Sequence, residues 1–192
     1  MPKKPIKKHN NSPAGRVHTV KLRSSQELVK ERHGALGERA LKCVPHSLKE
    51  DAARAIIIHG GDALSPITEF RTPFVNVITT HGKDAIEIAK EHGKHGIGAA
   101  NLGGRDAIIA MRRDGNQAAR VIIERAKTKE QGKIISKQIK TYGTDALVAI
   151  DIYGIPAARA IDKGGVSAIK AIQSKGDAGI KEFVPTFRMP KD

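Results

Sequence analysis

The chain has 192 residues and a formal net charge of +14 at pH 7, a length that suits one domain or a single array of repeats. No apolar run approaches the ~18 residues of a membrane span, and no apolar stretch follows the lysine-rich start, which argues against a transmembrane segment and a secretory signal. The single cysteine, Cys43, excludes an internal disulfide and a cysteine-rich zinc module. We expect a soluble protein of the reducing cytoplasm and leave secretion as an effector open.

Residues 1–23 are predicted to form a basic, flexible arm. Residues 1–16 contain almost nothing apolar, which is typical of segments that stay disordered when free. Residues 1–60 hold 13 basic and 5 acidic residues, whereas residues 61–131 hold 11 and 9. This imbalance favours a polyanionic partner, with nucleic acid first among the candidates, although a solubilising tail has the same composition. The cations expected to contact phosphate here are Lys3, Lys4, Lys7, Lys8, Arg16, Lys21 and Arg23.

Residues 24–59 are predicted to form an N-terminal helical segment. Two Ser-x-x-Glu patterns match the capping box that opens a helix. The first helix should reach about Cys43, interrupted or weakened at Gly34 and Gly37, and the second should end at His59-Gly60. The two pairs are Ser24 with Glu27 and Ser47 with Glu50.

From residue 60 onward glycines return every eleven residues in two series, the second offset from the first by 17 residues, and Arg71 stands where one glycine of the first series is expected. Such a fixed period indicates a repeat architecture. The first block covers residues 60–131, the second block covers residues 132–181, and residues 182–192 form a tail. The glycines are Gly60, Gly82, Gly93, Gly104 and Gly115 in the first block, and Gly132, Gly143, Gly154, Gly165 and Gly176 in the second.

Each unit predicts one short amphipathic helix. Small or apolar residues stand at the third, fourth, sixth and seventh positions after the glycine, which lie on one side of a helix. An Asp at the second position should cap the helix, and the next glycine should end it in the left-handed conformation. A longer helix is expected over about 116–130, and Phe183 and Phe187 should cap the last helix. Short helices are unstable alone, so the units should stack into an all-α, compact α-solenoid.

An unbroken helix is the rival interpretation, because eleven residues also make three helical turns. The glycines would then lie within the apolar stripe at a cost of roughly 1 kcal/mol each. Pro156 and the pairs Gly103-Gly104 and Gly164-Gly165 would add to that cost. Broken helices are therefore favoured.

Two stretches carry a resemblance to known repeats. HGKDAIEIAKE at residues 81–91 and YGTDALVAIDIYG at residues 142–154 resemble the short Tyr/His-Gly-x-Asp-Ala helical repeats that recur in bacterial proteins, including secreted toxin-type proteins. The resemblance implies a bacterial helical-repeat protein and identifies no catalytic residue.

Histidines are the residues with the most obvious chemistry. Because Tyr142 and Tyr153 occupy the same place before later glycines, we interpret these histidines as packing or capping residues. Metal binding by His92 and His95 would need further ligands, so no metal or cofactor is predicted. General acid–base work by histidine, as in a metal-free ribonuclease, stays open. The histidines that precede a glycine are His33, His59, His81 and His92.

Basic residues at helix starts are the remaining candidates. Lys83, Lys94 and Arg105 each follow a glycine, next to the exposed N–H groups that bind phosphate at helix N-termini. Later units place Lys137, Arg159, Lys170 and Lys181 on the outer face at the fifth position. The sequence thus predicts a non-enzymatic protein that binds DNA, RNA or a nucleoprotein particle through the phosphate backbone, with no catalytic residues. The alternatives are a toxin or effector with ribonuclease-like activity, and a scaffold that binds a protein on the solenoid surface.

Overall fold

The computed structural model describes residues 23–185, and every regular element in that range is helical, as the sequence predicts. No helix among these residues has both the length and the apolar character needed to cross a membrane. Outside the described residues lie the arm cations Lys3, Lys4, Lys7, Lys8, Arg16 and Lys21, and the expected cap Phe187. The elements are α1 (Ser25–Lys42), a 3-10 helix (His46–Leu48), α2 (Lys49–His59), α3 (Gly61–His81), α4 (Lys83–Arg125), α5 (Lys129–Tyr142), α6 (Thr144–Tyr153), α7 (Ile155–Lys175) and α8 (Asp177–Phe183).

Single residues with positive φ, which we call joints, divide the chain into short helical segments such as the 10-residue α6. The prediction that glycines interrupt the helices is confirmed at these positions. The conformation differs from the expected left-handed one, because ψ lies between −125° and −145°. From residue 60 onward the joints are Gly60, Arg71, Gly82, Gly93, Gly104, Gly115, Gly143, Gly154, Gly165 and Gly176.

One joint ends a helix and begins the next without an intervening loop. The N–H of Gly143 donates to the carbonyl of Ile139 at 2.8 Å, which closes the last turn of α5. The carbonyl of Gly143 accepts from the N–H of Leu147 at 2.9 Å, which opens α6. A single residue therefore satisfies backbone groups on both sides, and the chain direction changes at that residue.

The buried side of each segment follows the predicted positions. In the segment after Gly82, Ala85, Ile86, Ile88 and Ala89 are all at most 6% exposed. The same positions are buried in the other segments after residue 60, with few exceptions, and they belong to one hydrophobic core that runs from Val29 to Ile180. The apolar pattern thus specifies which side of each segment packs inward.

Segments that are two apart along the chain contact each other through polar side chains. The Asp at the second position of a segment accepts a hydrogen bond from the residue 28 positions later. The prediction that these carboxylates cap their own helices is wrong, because their hydrogen bonds go to side chains of the later segment. The pairs are Asp62 with Lys90 at 2.7 Å, Asp84 with Arg112 at 2.6 Å and Asp145 with Gln173 at 3.4 Å.

Joints that are two places apart along the chain also lie close together in space. A Cβ placed on Gly165 would lie 2.9 Å from the Tyr142 hydroxyl, and one placed on Gly176 would lie 3.0 Å from the Tyr153 hydroxyl. Both tyrosines are partly buried and pack against the hydrophobic core. At Gly143 the guanidinium of Arg113 takes this place and donates to the carbonyl of Ile139 at 2.7 Å.

The repeat spacing changes around residues 126–131. Helix α4 ends at Arg125 and α5 begins at Lys129, with the Thr128 hydroxyl accepting from the N–H of Gln131 at 3.2 Å. The predicted long helix over 116–130 is therefore wrong. Residues 126–131 act as a six-residue insertion between the contacting segments. Across it, Lys140 donates a hydrogen bond to Asp106, 34 positions earlier, whereas the usual separation is 28.

Gly132 is not a joint, and the sequence prediction is wrong there. It lies in the first turns of α5, where a Cβ would approach backbone atoms of Leu102 to 2.8 Å. Its neighbour across this contact is Gly103, whose added Cβ would lie against the Ser136 hydroxyl. These two glycines permit close helix packing, a use that spacing alone does not distinguish from a joint.

The N-terminal helices match one of the two predicted caps. Ser24 and Glu27 form the reciprocal capping box, and Gly34 interrupts α1 with positive φ. The cap predicted at Ser47 is wrong, because Ser47 lies inside the 3-10 helix and α2 begins at Lys49 without a side-chain cap. The carboxylate of Glu50 instead accepts a hydrogen bond from the hydroxyl of Ser25 at 2.5 Å, which ties α1 to α2.

The joint at Arg71 yields a first prediction. Arg71 has φ 54° and ψ −132°, a region that costs a residue with a Cβ about 1–3 kcal/mol. Arg71→Gly should therefore stabilise the fold by about 1 kcal/mol after the entropy cost of glycine, seen as a higher urea midpoint.

Gly93→Ala introduces at a glycine joint the strain that Arg71→Gly removes. A Cβ at Gly93 meets nothing within 4 Å, so only the backbone strain changes. It should lower the midpoint, whereas Gly61→Ala, at a helical position with equally open space, should not. An unchanged or lower midpoint for Arg71→Gly would contradict this account of the joints.

Candidate nucleic-acid interface

A basic groove lies beside the Gly104 joint. One part of it, about 410 Å³, is lined by Arg105, Lys133 and Lys137, and an adjoining part of about 210 Å³ is lined by His81, Lys129 and again Lys133. Lys129, Lys133 and Lys137 follow one another at four-residue intervals on α5, so they project from one side of that helix. The groove thus brings cations from two helices together.

The acidic residues of the groove are already engaged by lysines. Asp162 accepts hydrogen bonds from Lys137 at 2.8 Å and from Gln138 at 2.9 Å, and the bond from Lys137 holds the pKa of Asp162 below its usual value. Asp106 accepts from Lys140 at 2.7 Å. These bonds neutralise the carboxylates, so the groove keeps an excess of positive charge.

Two further segments, each two places along the chain from the one before, carry more positive charge. Lys137 contacts the segment 155–164 through Asp162, and that segment contacts α8 where Phe183 packs against Gly164. Arg159, Lys163 and Lys181 lie on the exposed sides of these segments. We call the whole set the basic face; it comprises Arg105, Lys129, Lys133, Lys137, Arg159, Lys163 and Lys181.

Most cations of the basic face have no acidic partner. Within residues 23–185, only Lys137 of the seven forms an ion pair. By contrast, Lys90, Arg112 and Arg120 on other parts of the molecule each pair with one or two carboxylates. The unpaired cations are the ones that gain most from contact with an external anion.

His81 lies at the edge of the basic groove in a neutral state. Burial lowers the pKa of His81, and Arg105 lowers it further, while Asp84 opposes the shift. Since the folded-state pKa lies below the unfolded value of about 6.5, the neutral ring favours the fold above that pH, and this contribution is lost as the pH falls through the folded-state pKa. At neutral pH the basic face therefore relies on lysine and arginine.

The structure separates the four described residues that the sequence predicts to contact phosphate. Arg105 lies in the basic face, as above. Lys83 is 83% exposed and lies 3.9 Å from Glu87, so a carboxylate is close to its charge. Lys94 lines a different cavity of about 590 Å³ whose walls include Phe70 and Leu102. Arg23 forms an ion pair with Glu31.

Sequence reasoning missed Lys129, Lys133 and Lys163. The first two are visible as lysines spaced by four residues, but they matter only because α5 packs beside the Gly104 joint. A basic residue at the fifth position, as in Lys137, Arg159 and Lys181, is the sequence signal that does point to this face.

A second cavity, of about 500 Å³, holds two histidines. It is lined only by polar residues: Glu91, His92, His95, Asn116, Arg120 and Glu124. The His92 side chain is 9% exposed, and its Nδ1 donates to Asn116 Oδ1 at 2.8 Å. Its Nε2 is buried without a hydrogen-bond partner, with Glu91 Oε2 at 3.6 Å. His92 thus contacts Asn116 through one ring nitrogen and has Glu91 beside the other.

Neither site contains a cluster suited to a metal, since no group of three or more His, Cys, Asp or Glu side chains in the described range is arranged to bind one. No protein-family model matches the chain. Comparisons with curated proteins and with solved structures found no similar protein. The resemblance to bacterial helical repeats thus stays a prediction.

His81 gives a direct test of the groove electrostatics. Arg105→Gln should raise the pKa of His81 because it removes a nearby positive charge, and Asp84→Asn should lower it because it removes a negative one. The pKa is measured by NMR from the pH dependence of the ring C–H shifts. Shifts of the same sign in both variants would contradict this placement of charges around His81.

Proposed function

We propose that the segments form an α-solenoid with two segments in each turn. The support is the constant separation of the contacts: hydrogen bonds join residues 28 positions apart, and the separation grows by six where the chain crosses residues 126–131. In such an arrangement each segment packs on its neighbour in sequence and on the segment two further along. Alternate segments then form two separate outer surfaces.

On this basis we propose a non-enzymatic nucleic-acid-binding protein that contacts the phosphate backbone of DNA, RNA or a nucleoprotein particle. The single observation that carries the proposal is the basic face, where only Lys137 of the seven cations is ion-paired within the described residues. The arm adds Lys3, Lys4, Lys7 and Lys8 in the same chain. Binding of this kind depends strongly on salt and weakly on sequence.

A scaffold for protein partners receives less support. The most exposed large apolar residues are spread over five different segments. They are Leu36, Ile58, Ile109, Val148, Ile152 and Val166.

A ribonuclease-like activity is the second candidate, because His92 and His95 line one polar cavity. Acid–base cleavage of RNA requires one group that takes the proton of the ribose 2′-hydroxyl and another that protonates the leaving oxygen, and imidazoles can serve as both. The burial of His92 Nε2 counts against the first role. Glu91 and Glu124 line the same cavity and oppose the approach of a phosphate. Arg120, which could offset them, already donates to Glu124 at 2.9 Å and to Asp151 at 2.6 Å.

Salt-dependent binding tests the primary proposal. In the full chain, replacing Lys133, Arg159 and Lys181 with Gln should lower the slope of log affinity against log salt by about 2–3, or about 1 for each lost phosphate contact. Fluorescence anisotropy with a labelled nucleic acid measures it.

The matched control replaces Lys30, Arg32 and Lys170 with Gln, which removes the same charge from exposed positions outside the basic face. It should retain a slope near that of the wild type. Equal losses in the two triple variants would mean that only net charge matters, and affinity that is flat with salt in the wild type would refute the proposal.

The second candidate is tested by incubating the purified chain with total RNA in the presence of EDTA. A binding protein leaves the RNA intact on a gel. Cleavage that disappears in both His92→Gln and His95→Gln would instead support the ribonuclease and count against a non-enzymatic role, whereas cleavage that persists in both variants would indicate a contaminant.

A further inference from the structure

We infer that the basic face binds double-stranded nucleic acid in preference to a single strand. This inference rests on the proposed function and specifies its ligand. Three features of the described residues carry it: where the aromatic side chains are, how the cations are spaced, and how firmly their helices are held.

Within residues 23–185, the aromatic side chains pack against the fold or line a cavity other than the basic groove. Phe74 is fully buried, Tyr142 and Tyr153 cover joints, and Phe183 packs against Gly164. Phe70 is half-buried and lines the cavity that contains Lys94. The basic face therefore offers no aromatic platform, although base stacking supplies about 1–3 kcal/mol per base in single-strand binding.

The cations form a two-dimensional array. Along α5, Lys129, Lys133 and Lys137 follow at intervals of ~6 Å, because a helix rises ~1.5 Å per residue. Across the packed segments, the same fifth position is held by Lys137, Arg159 and Lys181. The axes of packed helices lie about 8–10 Å apart. A single strand can follow one such line, whereas the two phosphate rows that border a groove of a duplex can meet both.

Charge density and stiffness favour the duplex further. A duplex carries one phosphate charge per ~1.7 Å of its axis, twice the density of one strand, and releases more counterions per neutralised phosphate. The helices that carry the cations are fixed by a shared core, since residues such as Ile135, Ile139 and Ile161 are completely buried. A flexible strand must give up conformational entropy to fit a fixed array, and a duplex is already stiff over this length.

The experiment compares three labelled ligands of equal length with the full-length protein: duplex DNA, duplex RNA and oligothymidine. Anisotropy titrations at several salt concentrations should show at least one duplex binding about tenfold or more tightly than oligothymidine. The two duplexes distinguish a DNA source from an RNA source of the same backbone chemistry.

Variants separate the basic face from the arm. The triple variant with Lys133, Arg159 and Lys181 changed to Gln should lose most of the duplex preference, and the control variant with Lys30, Arg32 and Lys170 changed to Gln should keep it. Circular dichroism confirms that both remain helical. All six side chains are exposed, so single-site variants are available if a triple variant fails to fold.

The outcomes are distinct. Oligothymidine that binds as tightly as both duplexes overturns the inference while leaving nucleic-acid binding intact. A duplex preference that survives in the triple variant overturns its assignment to the basic face. If none of the three ligands binds, or if their binding does not depend on salt, the proposed function itself is overturned.

Discussion

The fold depends on a backbone constraint: a helix must end, turn and restart within one residue. The residues at the joints achieve this with φ between 53° and 69° and ψ near −135°, a region that glycine enters at little cost and other residues enter under strain. Because no loop intervenes, the direction of each segment is set by its joint. The apolar positions of consecutive segments then meet in one core, which stabilises helices too short to persist alone.

The joints also determine where charge is placed. Since consecutive segments turn at every eleventh residue, residues at one position in alternate segments come into contact, and the molecule uses this to pair charges. The 28-residue bonds from Lys90 to Asp62 and from Arg112 to Asp84 occupy one such position. Such exposed pairs contribute little to stability, but they neutralise the surface where they occur. In the basic face one such pair forms, between Lys137 and Asp162, and the other six cations have no acidic partner within residues 23–185.

The two candidate sites differ in their electrostatics more than in their residue types. The groove beside Gly104 contains carboxylates, but lysines satisfy them and further cations surround them. The cavity around His92 contains a buried imidazole nitrogen without a partner, yet glutamates line it and its arginine is engaged. A polyanion is favoured at the first site and disfavoured at the second. This contrast is why binding stands ahead of catalysis in the proposed function.

The sequence by itself determined the helical class, the joints and the inward side of each segment, because glycine spacing and apolar periodicity act locally. It did not distinguish Gly132, which allows close packing against Leu102, from the joint glycines, since both uses require the absence of a Cβ. Nor did the sequence show that Asp62 accepts a hydrogen bond from Lys90. It also did not show that Arg105 lies in the groove beside Lys133, while Lys83 and Lys94 lie outside that groove. Those relations join residues 25 or more positions apart, and only the packing of segments onto one another decides them.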